Sequence, residues 1–164
     1  MPGQVNFPHD FKPSFSGHET FPLRYGWLEK SFQAIVSNSE NPFNAEDSIA
    51  QFGVGRNMVS AIKHWALATG FAVSTENQLA VSDYAHSIMD KSKDPFLENV
   101  TSIWKIHYEL VKSPKNMTLH YLFCYLNENA FDRTLLIARI MEFLQNYGFK
   151  LPADKTLASD ISVS

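Results

Sequence analysis

The sequence predicts a mainly α fold, a winged helix-turn-helix with a small β-wing packed against a C-terminal helical unit. Three observations carry that reading. Residues 56–69 show a 3.6-residue apolar period, a Gly53-Val54-Gly55 turn precedes them, and two short strand-like patterns at 71–73 and 79–81 follow them. Two helices joined by a glycine-containing turn form a unit whose second helix can enter a nucleic-acid groove.

The elements are expected as follows. Residues 45–52 form a first short helix, capped by Asn44, with Ile49, Ala50 and Phe52 facing inward. Residues 56–69 form the second helix, with Val59, Ile62, Trp65 or Ala66, and Thr69 on its apolar face. Gly70 stops it from the position where glycine takes a left-handed backbone at low cost. Residues 74–78 are the tip of the wing.

Residues 1–14 hold three of the eight prolines and little periodicity, the pattern of an extended arm. Residues 15–28, FSGHETFPLRYGWL, are dense in aromatics, and a helix is expected over 23–36 with Thr20 as its cap, Pro22 at its start, and Leu28, Phe32 and Ile35 inward. Residues 82–91 form a helix capped by Ser82, and 91–95 are a polar linker. The organisation is thus an arm over 1–14, the winged domain over 15–91 and a helical unit over 96–164.

In that unit, 96–113 reads as a long helix with Leu97, Val100, Ile103, Trp104, His107, Tyr108 and Val111 near its inner face, ended by Pro114. His107 is expected in a core or interface. A buried helix over 117–127 carries His120 at its edge, and Cys124 there is expected as a buried small hydrophobe. Asp132 caps a helix over 133–147 with Leu136, Ile140, Phe143 and Leu144 inward, and Gly148 ends it. Residues 156–161 read as a helix start.

Composition excludes several classes. With 164 residues, 45% of them hydrophobic and 13% aromatic, the chain can bury a core and is not disordered. No apolar run approaches the roughly 18 residues of a membrane span, the N-terminus lacks a signal-peptide pattern, and one cysteine makes no disulfide framework, so the cytoplasm is the expected compartment. There is no G-x-x-x-x-G-K-[ST] loop and no C-x-x-C pair, which removes ATPase and zinc-finger readings. Residues 1–90 carry five Lys/Arg against nine Asp/Glu, so any surface for DNA is local and the affinity expected of it is weak.

Two chemistries stand out. The second helix presents Arg56, Asn57, Ser60, Lys63 and His64 to a groove, Arg and Asn suited to base edges and Lys63 to phosphate. His18 beside Glu19, with Arg24 near, has the residue types for phosphodiester cleavage: His18 as base or acid, Glu19 as base or ligand of a divalent metal, Arg24 as phosphate clamp. A polar pair that pins the arm to the aromatic cluster is the competing reading of His18-Glu19.

The blocks FSGHETFPLRYGWLEK, GVGRNMVSAIKHWALATGF and DPFLENVTSIWKIHYEL, in this order, resemble a bacterial family of formerly unassigned function found beside PAPS-reductase-like proteins. That family includes the B component of Ssp-type DNA phosphorothioation systems. The resemblance covers about residues 15 to 147. It implies a part in sulfur modification of the DNA backbone for phage defence, with nicking of double-stranded DNA; if the chain nicks, the chemistry calls for a divalent metal, Mg²⁺ or Mn²⁺. It implies a cysteine desulfurase, an ATPase and a PAPS-reductase-like protein as partners. Members of that family are longer, so 156–161 would begin a further element. A non-enzymatic protein-interaction scaffold stands as the alternative from another class. So does a winged-helix transcription regulator, which would call for a homodimer through the aromatic helices.

Overall fold

The computed structural model describes residues 7, 11–37, 41–44, 46–75 and 78–164. Its elements run α1 (Trp27–Ser37), α2 (Ser48–Phe52), α3 (Arg56–Ala68), β1 (Ala72–Thr75), β2 (Gln78–Val81), α4 (Asp83–Met89), α5 (Val100–Lys112), α6 (Met117–Cys124), α7 (Arg133–Asn146) and α8 (Asp154–Ile161). The fold is mainly helical, with one antiparallel hairpin in which Ala72 pairs Val81 and Thr75 pairs Gln78. None of the described helices is long and apolar enough to cross a membrane. The chain divides into two compact units, one of residues 17–110 and one of residues 1–16 with 111–164. The linker expected at 91–95 therefore lies inside the first of them.

In the 17–110 unit, α1 packs on α3 and on β2. Leu28, Phe32, Phe71, Ala85, Ile88, Met89 and Ile106 form a shared core. Helix α1 starts at Trp27 rather than Leu23, because Gly26 takes φ +83 and the chain turns through a bond from Trp27 N–H to Arg24 O. Thr20, at φ +64, is no helix cap. Helix α2 buries Ser48 and Phe52 and leaves Ile49 and Ala50 outside, contrary to the expected face, since Phe52 stacks on Phe43 with ring centroids 5.0 Å apart. Asp47 rather than Asn44 stands at its N-terminus, and Ala45 lies outside the described residues.

Local signals act as expected elsewhere. Ser82 Oγ accepts from Ala85 N–H at 3.0 Å and caps α4. Helix α5 begins late, at Val100, because the Asp94 carboxylate accepts from the amides of Glu98 and Asn99 at 2.8 and 3.0 Å and Leu97 takes φ +54. The Ser102 hydroxyl foremost holds the Asp94 carboxyl below its usual range; burial opposes it, and the amides of Asn99 and Glu98 add smaller lowering effects. The buried side of α5 is Ser102, Ile106 and Leu110, while Val100, Ile103, Trp104 and Tyr108 face outward. Of the expected inner face, Val111 is buried and Leu97 and His107 are half-buried, while the others lie outward.

In the other unit, Phe15, Met117, Tyr121, Leu136, Ile140, Leu144 and Leu157 form the core. The start of the chain is not a free arm where it is described: Phe7 stacks on Phe11 at 4.9 Å and meets Tyr147 and Phe149 edge-on. Asp132 caps α7 by accepting from Leu135 N–H at 2.7 Å. His120 is buried, its Nδ1 2.8 Å from Val111 O, and not at an edge. Cys124 is exposed rather than buried, although its surroundings still push the thiol pKa up. Residues 154–161 close into helix α8, held by a bond from the Arg133 guanidinium to Ala158 O.

Candidate nucleic-acid interface

The site is built on α3. Gly53 takes φ +65 and returns its N–H to Ile49 O, ending α2, and Gly55 enters α3 in extended conformation. The helix then buries Val59, Ile62, Trp65 and Ala66. That fixes its rotation. Arg56, Asn57 and Ser60 are left exposed on the opposite side. Residues four apart share a helix face, so Arg56 and Ser60 stand in line with Asn57 beside them. Lys63 continues the row but is half-buried: its Nζ donates to Asn44 Oδ1 at 3.4 Å. It also lines a cleft of about 230 Å³ with Leu67 and the hairpin residues Ser74, Thr75 and Gln78.

His64 departs from the expected set. The segment after Gly17 lies on α3 and takes this side chain for itself. His18 is only 5% exposed, and its ring stacks on Trp65 at 6.3 Å with 22° between planes. His64 meets His18 edge-on at 5.8 Å and Trp65 at 5.1 Å. Trp65 Nε1 donates to Phe21 O at 2.9 Å, and Phe21 N–H donates to His18 O at 2.8 Å, closing the turn. Burial first, and the neighbouring His18 second, lower the His64 pKa to about 4. The ring is therefore neutral at pH 7 and brings no charge to a phosphate.

The three residues expected to share chemistry have different surroundings. Thr20 N–H donates to His18 Nδ1 at 3.1 Å, which puts the ring proton on Nε2 when the imidazole is neutral. Glu19 is exposed, and it and Thr20 take left-handed φ of +50 and +64. Arg24 is exposed and lies 5.7 Å over the Phe21 ring and 5.5 Å over that of Trp27. Among the described residues no group of three His, Cys, Asp or Glu side chains is placed to hold a metal ion.

Of the residues that shape the site, Gly17 has no role in the sequence reading beyond lying in the aromatic stretch 15–28, while Trp65 and Asn44 are expected there only as an apolar-face residue and a helix cap.

Comparison with solved structures gives two close relatives in shape. The chain is similar to SspB in a magnesium ion-bound crystal structure, at 28% identity and TM-score 0.78, over 92% of this chain and 47% of that one. It is similar to a second SspB crystal structure at 28% identity and TM-score 0.81, over 92% and 48%. The chain thus spans about half the length of these solved relatives. No curated protein matches it. A family model described as a protein of unknown function (DUF4007) matches residues 15–164, and the chain belongs to that family.

Proposed function

We propose that this chain is a DNA-contacting component of a bacterial phosphorothioation system, with α2, α3 and the β1–β2 hairpin working as a winged helix-turn-helix. The observation that carries it is the row Arg56, Asn57 and Ser60, exposed on α3, whose other face is locked into the core. The likeness to SspB supports the setting. Arg56 and Asn57 would meet base edges, Ser60 and Lys63 the backbone, and His64 would keep the helix in place without touching DNA. With one or two phosphate contacts, binding is weak and its salt slope shallow, on the order of −0.9 per neutralised phosphate. The test is fluorescence anisotropy of a labelled duplex at several salt concentrations, with Arg56→Ala and Lys63→Ala. Both substitutions weaken binding, and Lys63→Ala also flattens the slope. Unchanged affinity in both would sink the assignment and favour a scaffold that docks the cysteine desulfurase, ATPase and PAPS-reductase-like proteins of such systems.

Nicking is the finer reading. Glu19 favours it, being exposed in a run of left-handed backbone beside the buried His18, since sparsely populated backbone concentrates at active sites. One solved relative carries magnesium. In this chain the described residues do not by themselves make a divalent-metal centre, because Glu19 offers a single carboxylate and no cluster of three donors surrounds it. Relaxation of supercoiled plasmid with Mg²⁺ or Mn²⁺, compared with Glu19→Gln and His18→Ala, decides the matter. Glu19→Gln leaves the buried His18–Trp65 stack intact, so retention of full activity in that variant discards Glu19 as a participant.

A further inference from the structure

Within the 17–110 unit, an apolar pocket of about 190 Å³ opens between the start of α1 and α5. Leu23, Leu28, Leu97, Ile103 and Ile106 line it, and among the described residues the one charge at its wall is Arg24. Beside it stand large side chains in water: Tyr25, which lines it, at 77% exposure, and Phe96, next to the lining Leu97, at 64%. The rim is built rather than loose, because Tyr25 Oη donates to Phe96 O at 2.5 Å. Tyr and Arg beside a pocket are residue types that anchor protein interfaces.

Charge selects the occupant. Arg24 has the Phe21 and Trp27 rings as its neighbours, and no carboxylate pairs with it among the described residues. A guanidinium over an apolar pocket accepts a carboxylate beside an apolar anchor. Nucleic acid fits less well, since reading an inserted base needs polar partners for its edges. This pocket offers only Arg24, with the Tyr25 hydroxyl already engaged.

We infer that this face is a docking site for an acidic amphipathic helix of a partner protein. One Leu-, Met- or Phe-sized side chain fills the pocket, an adjacent Asp or Glu pairs with Arg24, and the next apolar turn lies along Leu97 and Ile103 in helix-in-groove fashion. The inference does not depend on α3 contacting DNA.

The test is panning of a displayed library of random 16-residue peptides on the full chain. Recovered sequences are then synthesised with a fluorescent label and titrated by anisotropy, beside a labelled 16-mer of deoxythymidine. The expected result is enrichment of peptides with apolar residues at i, i+3 or i+4, and i+7 and with Asp or Glu between them. Arg24→Glu and Ile103→Asp each weaken their binding by about tenfold or more, while Arg24→Lys retains most of it. Both positions are exposed, and circular dichroism melting verifies that the variants fold. Recovery of no peptides, of peptides without carboxylates, or of binding that neither substitution alters overturns the proposal. So does oligonucleotide binding that the same two substitutions abolish, which would make the face a single-strand platform instead.

Discussion

A Cβ added at Gly17 would stand 2.7 Å from His64 Nδ1, closer than side-chain carbons approach ring atoms. Gly17 also takes φ +112, a conformation that residues with a Cβ rarely adopt. One glycine thereby lets the 17–21 turn lie flat on α3 and brings His18 onto Trp65. Gly17→Ala is expected to cost about 2–3 kcal/mol, from backbone strain together with the clash. Urea unfolding measures it. His64→Ala in the Gly17→Ala background relieves the clash and leaves the strain, so the two costs sum to more than the double variant shows. Simple additivity would mean that the two residues do not meet.

The same packing makes stability depend on pH. His64 titrates near 6.5 when unfolded and at about 4 when folded, with burial the larger cause. The folded state therefore resists protonation. The stabilising contribution of the neutral ring is complete above pH 6.5 and is lost as pH falls through the interval from 6.5 to about 4. Its full size is on the order of 3 kcal/mol, with a slope of up to about 1.4 kcal/mol per pH unit. Chemical denaturation at half-unit steps from pH 7.5 to 4.5 should give a plateau and then a decline in the native chain. His64→Gln should remove most of that decline. An equally steep fall in the variant would assign it to other groups.

Much of the fold was legible where the governing interaction is local. Ser82 and Asp132 cap their helices, and Gly70 and Gly148 turn the chain at φ +74 and +70 where α3 and α7 stop. The exposed row of Arg56, Asn57 and Ser60 was legible too, because it is what remains once Val59, Ile62 and Trp65 point inward. Local signals misled when two of them competed: Pro22 suits a helix start, but Gly26 four residues later holds a left-handed turn and delays α1. For α5 the apolar period gave a stripe without saying which neighbour it meets, and Val100, Ile103 and Trp104 face solvent in the described chain. The environment of His64 depends on Gly17, 47 positions earlier, and the tether of Lys63 on Asn44. No spacing rule within one helix reports such contacts.

The 111–164 segment contains a buried polar clasp that should govern how α8 is held. Thr118 Oγ1 on α6 donates to Asp160 Oδ2 on α8 at 2.5 Å, and both residues are buried. A carboxylate away from water is costly when a donor is withdrawn, so Thr118→Val should destabilise by about 1–3 kcal/mol although it preserves shape. Thr118→Ser keeps the hydroxyl and should cost less, through the lost methyl alone. Asp160→Asn in the Thr118→Val background replaces the carboxyl that lost its donor, and should recover part of the loss. The arrangement predicts a local consequence as well. Amide exchange in α8, whose Leu157 is fully buried beside Met117 and Leu136, should quicken in Thr118→Val more than exchange in α7. Uniform quickening across both helices would mean that the bond stabilises the whole unit, and that α8 does not open separately.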